Sequence, residues 1–88
     1  MSTQSPPVEL PAVETLVTQL IGDLALLSHA YLSEETGNAP DLESAQIAID
    51  VASASFERVK ERLRPEERLA ITQMLTETRM TFVRKRGL

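Results

Sequence analysis

Apolar residues in the first half of the chain fall at Val13, Val17, Leu20, Leu24, Leu27 and Tyr31, in alternating steps of four and three. That stepping places them on one face of a helix, as in a heptad seam. Leu16, Ile21 and Leu32 flank the seam and widen it, as in a globular bundle. The pattern predicts a first helix over 12–32, with Tyr31 on the inner seam and His29 on the back. Pro11 sits near its start, where a missing N–H costs nothing.

A second run is more regular. Leu42, Ala45, Ile49, Ala52, Phe56, Val59 and Leu63 step by three and four throughout, with alanines alternating with larger residues. Small residues at every second seam position let a neighbouring helix approach closely. Ile47, Ala48 and Val51 add apolar surface beside the seam. The helix predicted over 42–63 would be about 33 Å long, against about 31 Å for the first. Matched lengths joined by the polar stretch SEETGNAP predict an antiparallel hairpin. Asp41 precedes the run as its N-cap, and Glu43 suits the positive end of the helix dipole.

Arg64-Pro65 ends the second helix, because proline disfavours helical geometry in the residue before it. Pro65, Glu66 and Glu67 then make a favourable first turn for a third helix over 65–86. Its apolar residues form two stripes. Ile71, Met74, Leu75, Thr78 and Phe82 make one, while Leu69, Met80 and Val83 lie nearly opposite. A helix apolar on two sides has something packed on both. With two other helices in the chain, the second stripe is expected to meet another copy.

Composition narrows the class. Eighty-eight residues hold one small domain, predicted over 12–88 behind a disordered or extended lead-in at 1–11. The chain has no cysteine, which excludes disulfide staples and thiolate zinc sites. The first eleven residues carry no Lys or Arg and no apolar run, unlike a secretory leader. The stretch 16–32 is interrupted by Asp23 and His29 and is short for a span. The expectation is a soluble cytoplasmic protein with no membrane association.

Charge is distributed unevenly. Residues 1–50 hold eight acids and no Lys or Arg, whereas 51–88 hold all nine bases against five acids. Such a split suits an acidic face meeting a basic one, or a basic end meeting nucleic acid. Arg79, Arg84, Lys85 and Arg86 crowd the end of the third helix, where cations also complement the dipole. The three aromatics, Tyr31, Phe56 and Phe82, sit at core-like positions, so base stacking on them is not expected.

The only metal-like constellation is His29 with Glu34, Glu35 and Asp41. The residue four beyond His29 is Ser33, and adjacent Glu34 and Glu35 point apart, so helical ligand spacing is not met. There is no cysteine nucleophile, no Ser–His pair with an orienting third group and no glycine-rich phosphate loop. No cofactor is implied, and a non-enzymatic protein is expected.

The order of these pieces resembles a family of small bacterial proteins, the domain-of-unknown-function family numbered eighteen forty-four. An apolar first helix leads to Glu35-Thr36-Gly37, then Asp41-Leu42-Glu43 with Ala45 and Ile49-Asp50. Pro65-Glu66-Glu67 follows, and the series closes on Arg79-Met80-Thr81-Phe82-Val83. The likeness covers about residues 16–84. It departs from the family pattern at Phe82, where tyrosine is usual, and in the basic Arg84-Lys85-Arg86 end. The resemblance implies a small helical bacterial protein and carries no activity with it.

The sequence therefore predicts an all-α fold: an antiparallel hairpin of two long helices plus a third helix, completed into a bundle by dimerisation. The expected function is a non-enzymatic helical interaction module that forms a homodimer, through Leu69, Met80 and Val83. The alternative is a nucleic-acid- or ribosome-associated factor using Arg79, Arg84, Lys85 and Arg86.

Overall fold

A computed structural model describes residues 7–35, 37 and 39–87; most of the expected lead-in, residues 1–6, lies outside the described residues. Three α-helices are present among the described residues: α1 over Val13–Leu32, α2 over Leu42–Val59 and α3 over Pro65–Gly87. There is no strand among the described residues. The all-α hairpin plus third helix is thus the observed fold.

The boundaries follow local chemistry. Asp41 caps α2, its Oδ1 accepting from the Ser44 amide at 3.0 Å and its Oδ2 from the Ser44 hydroxyl at 2.7 Å. The Asp41 amide in turn donates to the Tyr31 carbonyl at 2.8 Å, satisfying an acceptor at the end of α1. Between them Gly37 takes φ +82°, a left-handed conformation that glycine adopts without penalty. The second helix ends earlier as an α-helix than the periodicity suggests. It tightens after Val59 into a short 3₁₀ turn, Lys60–Arg62, before the extended Leu63. Such tightening is common where a proline two residues on forbids another α turn. At the start of α3 the Arg64 amide donates to Glu67 Oε1 at 3.2 Å, the backward half of a capping box.

The helices alternate in direction, so α3 runs parallel to α1 and packs over one side of the α1/α2 hairpin. Near one end Ile21, Ala52, Val59, Leu63, Ile71 and Leu75 form a buried cluster. Toward the other end Leu32, Ala45, Ile49 and Phe82 form a second. Fully buried Ser28 and Thr78 lie between the two in chain order. Each hydroxyl is satisfied within its own helix, Ser28 donating to the Leu24 carbonyl and Thr78 to that of Met74, both at 2.8 Å.

The second-helix seam is confirmed residue by residue: Ala45, Ile49, Ala52, Val59 and Leu63 are buried, and Leu42 and Phe56 half-buried. The α1 seam requires correction. Its buried positions are Ile21, Ala25, Ser28 and Leu32, whereas Val13, Leu20, Leu27 and Tyr31 are exposed. The true inner line is rotated by one residue from the apolar one. Ala25 and Ser28 on α1 and Ala45, Ala48 and Ala52 on α2 are all buried, and side chains this small permit close approach of helices. Bulkier Leu20 and Leu27 are turned to the edge.

Candidate interaction surfaces

Three surfaces carry the residues singled out by the sequence, or residues it misassigned. The first is the outer side of α3. Leu69, Met80 and Val83 are all exposed, so the helix is two-faced as expected, with Ile71, Leu75, Thr78 and Phe82 on its buried side. Leu69 stands eleven residues from Met80, about 16 Å along the helix, so the stripe is broken. Only Met80 and Val83 share a depression, rimmed by Arg79 and Arg84.

The second is the basic end. Arg79 reaches across to the Ser53 hydroxyl on α2. Arg84 donates to the Thr81 hydroxyl at 3.2 Å, and the Arg86 guanidinium lies 5.5 Å from the Phe82 ring centroid, a cation–π distance. No carboxylate pairs with these four cations among the described residues. The corner bases differ: Lys60 pairs with Glu57 at 2.6 Å, Arg64 with Glu67 at 3.1 Å and Arg68 with Glu61 at 3.8 Å. The bond to Glu67, followed by its charge, raises the Arg64 pKa, and the Arg64 side chain followed by its amide holds Glu67 below the usual carboxylate value. Lys60 is likewise raised, by its bond to Glu57. Arg62 Nε lies 2.8 Å from Glu14 Oε2, tying the 3₁₀ turn to the start of α1. That contact is ionic rather than a directed hydrogen bond, since the oxygen lies off the donor's axis.

The third surface is one that sequence reasoning assigned to the core. On the side of the hairpin opposite α3, a groove runs between α1 and α2. Leu24, Leu27 and Tyr31 line it from α1, and Ser44, Ile47, Ala48 and Val51 from α2. Leu16, Leu20 and Val13 continue the α1 wall toward its N-terminus. In place of the expected buried Tyr31, that residue is 38% exposed; Ile47 is 57% exposed. The alternative inner line through Ala25 and Ser28 was the signal for this groove, but small and polar residues do not register in an apolar pattern.

His29 stands apart from Glu34, Glu35 and Asp41. It turns toward α3, with Nε2 at 3.3 Å from the Thr78 hydroxyl. No group of three or more His, Cys, Asp or Glu side chains gathers among the described residues. Nor is any described helix long and apolar enough to cross a membrane. Asp41, the remaining acid of that stretch, is held below the usual carboxylate value by the Ser44 amide and then the Ser44 hydroxyl, which is the signature of a cap. No family model, curated protein or solved structure matches this chain. The family resemblance above rests on the order of its motifs alone.

Proposed function

We propose that the protein is a non-enzymatic helical interaction module that acts by associating with itself, in the cytoplasm, as a homodimer. The observation supporting this reading is the amount of large apolar side chain left open once the three helices have packed. Val13, Leu16, Leu20, Leu27, Ile47, Val51, Leu69, Met80 and Val83 are each at least 44% exposed within the helices. A monomeric soluble protein rarely leaves contiguous apolar patches larger than a few hundred Å². A domain this small also gains much of its stability from association when it has neither staples nor metal. Sedimentation velocity over a range of concentrations tests it. The expected result is a species of twice the 9.7 kDa chain mass. A monomer persisting at high concentration sinks the reading.

The C-terminal cations, which pair with no carboxylate among the described residues, support the second reading, contact with nucleic acid through phosphates. Against it, Lys85 shares a depression with Glu34 and Glu35, whose carboxylates would meet the same backbone. Absorbance at 260 nm in the purified protein, and salt-sensitive RNA retention lost on replacing Arg84, Lys85 and Arg86, would favour it over self-association.

A further inference from the structure

We infer that the groove between α1 and α2, rather than the outer side of α3, is the surface on which a second copy of this chain docks. The inference rests on the self-association reading and adds where it happens. Two apolar surfaces compete for the role, and their sizes differ. From their exposures, the groove walls with Val13, Leu16, Leu20, Leu27, Ile47 and Val51 present on the order of 600 Å² of side chain per copy. Pairing two such surfaces hides about 1,200 Å², the lower bound of a stable interface. Leu69, Met80 and Val83 present about half as much per copy, so pairing two of those surfaces hides about 600 Å², well short of that bound.

The pattern on α1 names the kind of occupant. Val13, Val17, Leu20, Leu24, Leu27 and Tyr31 repeat every three and a half residues, which is the spacing that keeps knobs facing a partner helix along a supercoil. The hairpin uses that line only in part: Val17 and Leu24 pack on the core cluster, whereas Val13, Leu20, Leu27 and Tyr31 stay exposed. Those four exposed positions suit a helical partner with matching knobs, and a second α1 carries them. An isologous pair satisfies both copies at once, each α1 lying along the other's groove.

Charge agrees with a second copy. The chain carries a net −4, yet Leu24, Leu27, Tyr31, Ile47, Ala48 and Val51 on the groove floor are all uncharged. Two copies meet there without like-charged side chains opposed, whereas a strongly charged peptide would find no counter-charge.

The test is sedimentation equilibrium of the full chain and three variants, with helix content checked by circular dichroism. Leu27→Lys and Ile47→Gln alter the groove at exposed positions, so each monomer retains its core. Met80→Lys alters the outer side of α3. Expected is a dimer for the parent and for Met80→Lys, with dissociation at least about a hundredfold weaker-binding for both groove variants. A dimer unaffected by Leu27→Lys and Ile47→Gln overturns the groove while leaving self-association standing. A parent chain that is monomeric throughout removes both.

Discussion

Nε2 of His29 lies 3.3 Å from the hydroxyl of Thr78, joining α1 to α3 across 49 residues of chain. The Thr78 proton is committed to the Met74 carbonyl, so the hydroxyl accepts here and the imidazole donates. His29, which the helical phase places on the back of α1, is exposed and also links to the third helix. Because Thr78 is fully buried, its oxygen depends on protein partners.

Removing that link tests it directly. Thr78→Val is expected to cost about 1 kcal/mol in urea unfolding, and His29→Ala less. In a double-mutant cycle the pair should couple by about 0.5–1 kcal/mol. Additive losses would mean the two side chains are neighbours without an energetic bond.

The alanine seam of α2 makes a second prediction. Ala52 is fully buried within the first apolar cluster, where added volume has nowhere to go. Ala52→Leu is expected to destabilise by about 1–3 kcal/mol. Leu26→Ala, at a position 71% exposed and outside the groove, should change stability by less than about 0.5 kcal/mol.

Two glycines should respond in opposite directions to alanine. Gly37 needs its φ of +82°, so Gly37→Ala is expected to cost about 1–2 kcal/mol despite the open space around it. Gly22 is helical, and a methyl group there would meet nothing within 4 Å. Gly22→Ala should raise stability by about 0.5–1 kcal/mol. Thermal melts of the two variants, side by side, check both signs.

Acid should weaken the two helix starts. Asp41 and Glu67 are both held below their ordinary values, Asp41 by Ser44 and Glu67 by Arg64. A depressed carboxylate stabilises the fold above its unfolded pKa, and that contribution is lost as pH falls through the folded value. Thermal midpoints should therefore be level from pH 7 to about 5 and fall below about pH 4. Asp41→Asn keeps a capping oxygen that does not titrate, so its acid fall should be shallower. Asp41→Ala should lower helix content and midpoint at neutral pH as well.

What the sequence made legible follows from side-chain size. The buried seam of α2 could be read through to Leu63 because each seam position is apolar, although the helix itself gives way to a 3₁₀ turn after Val59. Pro65 and Asp41 marked their boundaries through proline sterics and carboxylate capping, and both stand. On α1 two heptad lines run one residue apart. The more apolar one, Val13 to Tyr31, reads as core, but Ile21, Ala25, Ser28 and Leu32 on the other line are the buried ones. Hydrophobicity ranks leucine above serine for burial; close helix contact ranks them the other way when the serine hydroxyl can bond its own backbone. The His29–Thr78 contact was not legible at all, because it depends on where α3 lands.

The hydrogen bond from the Asp41 amide to the Tyr31 carbonyl fastens the two helix ends together before the intervening turn contributes anything. A clamp at the mouth of a connection leaves less for the connection to do beyond the turn at Gly37. Closure entropy grows only with the logarithm of length, so a few extra residues inserted between Glu35 and Ala39 would be borne with little loss. The same place would accept a grafted epitope or a new pair of chain termini, since the hairpin is held from outside the loop.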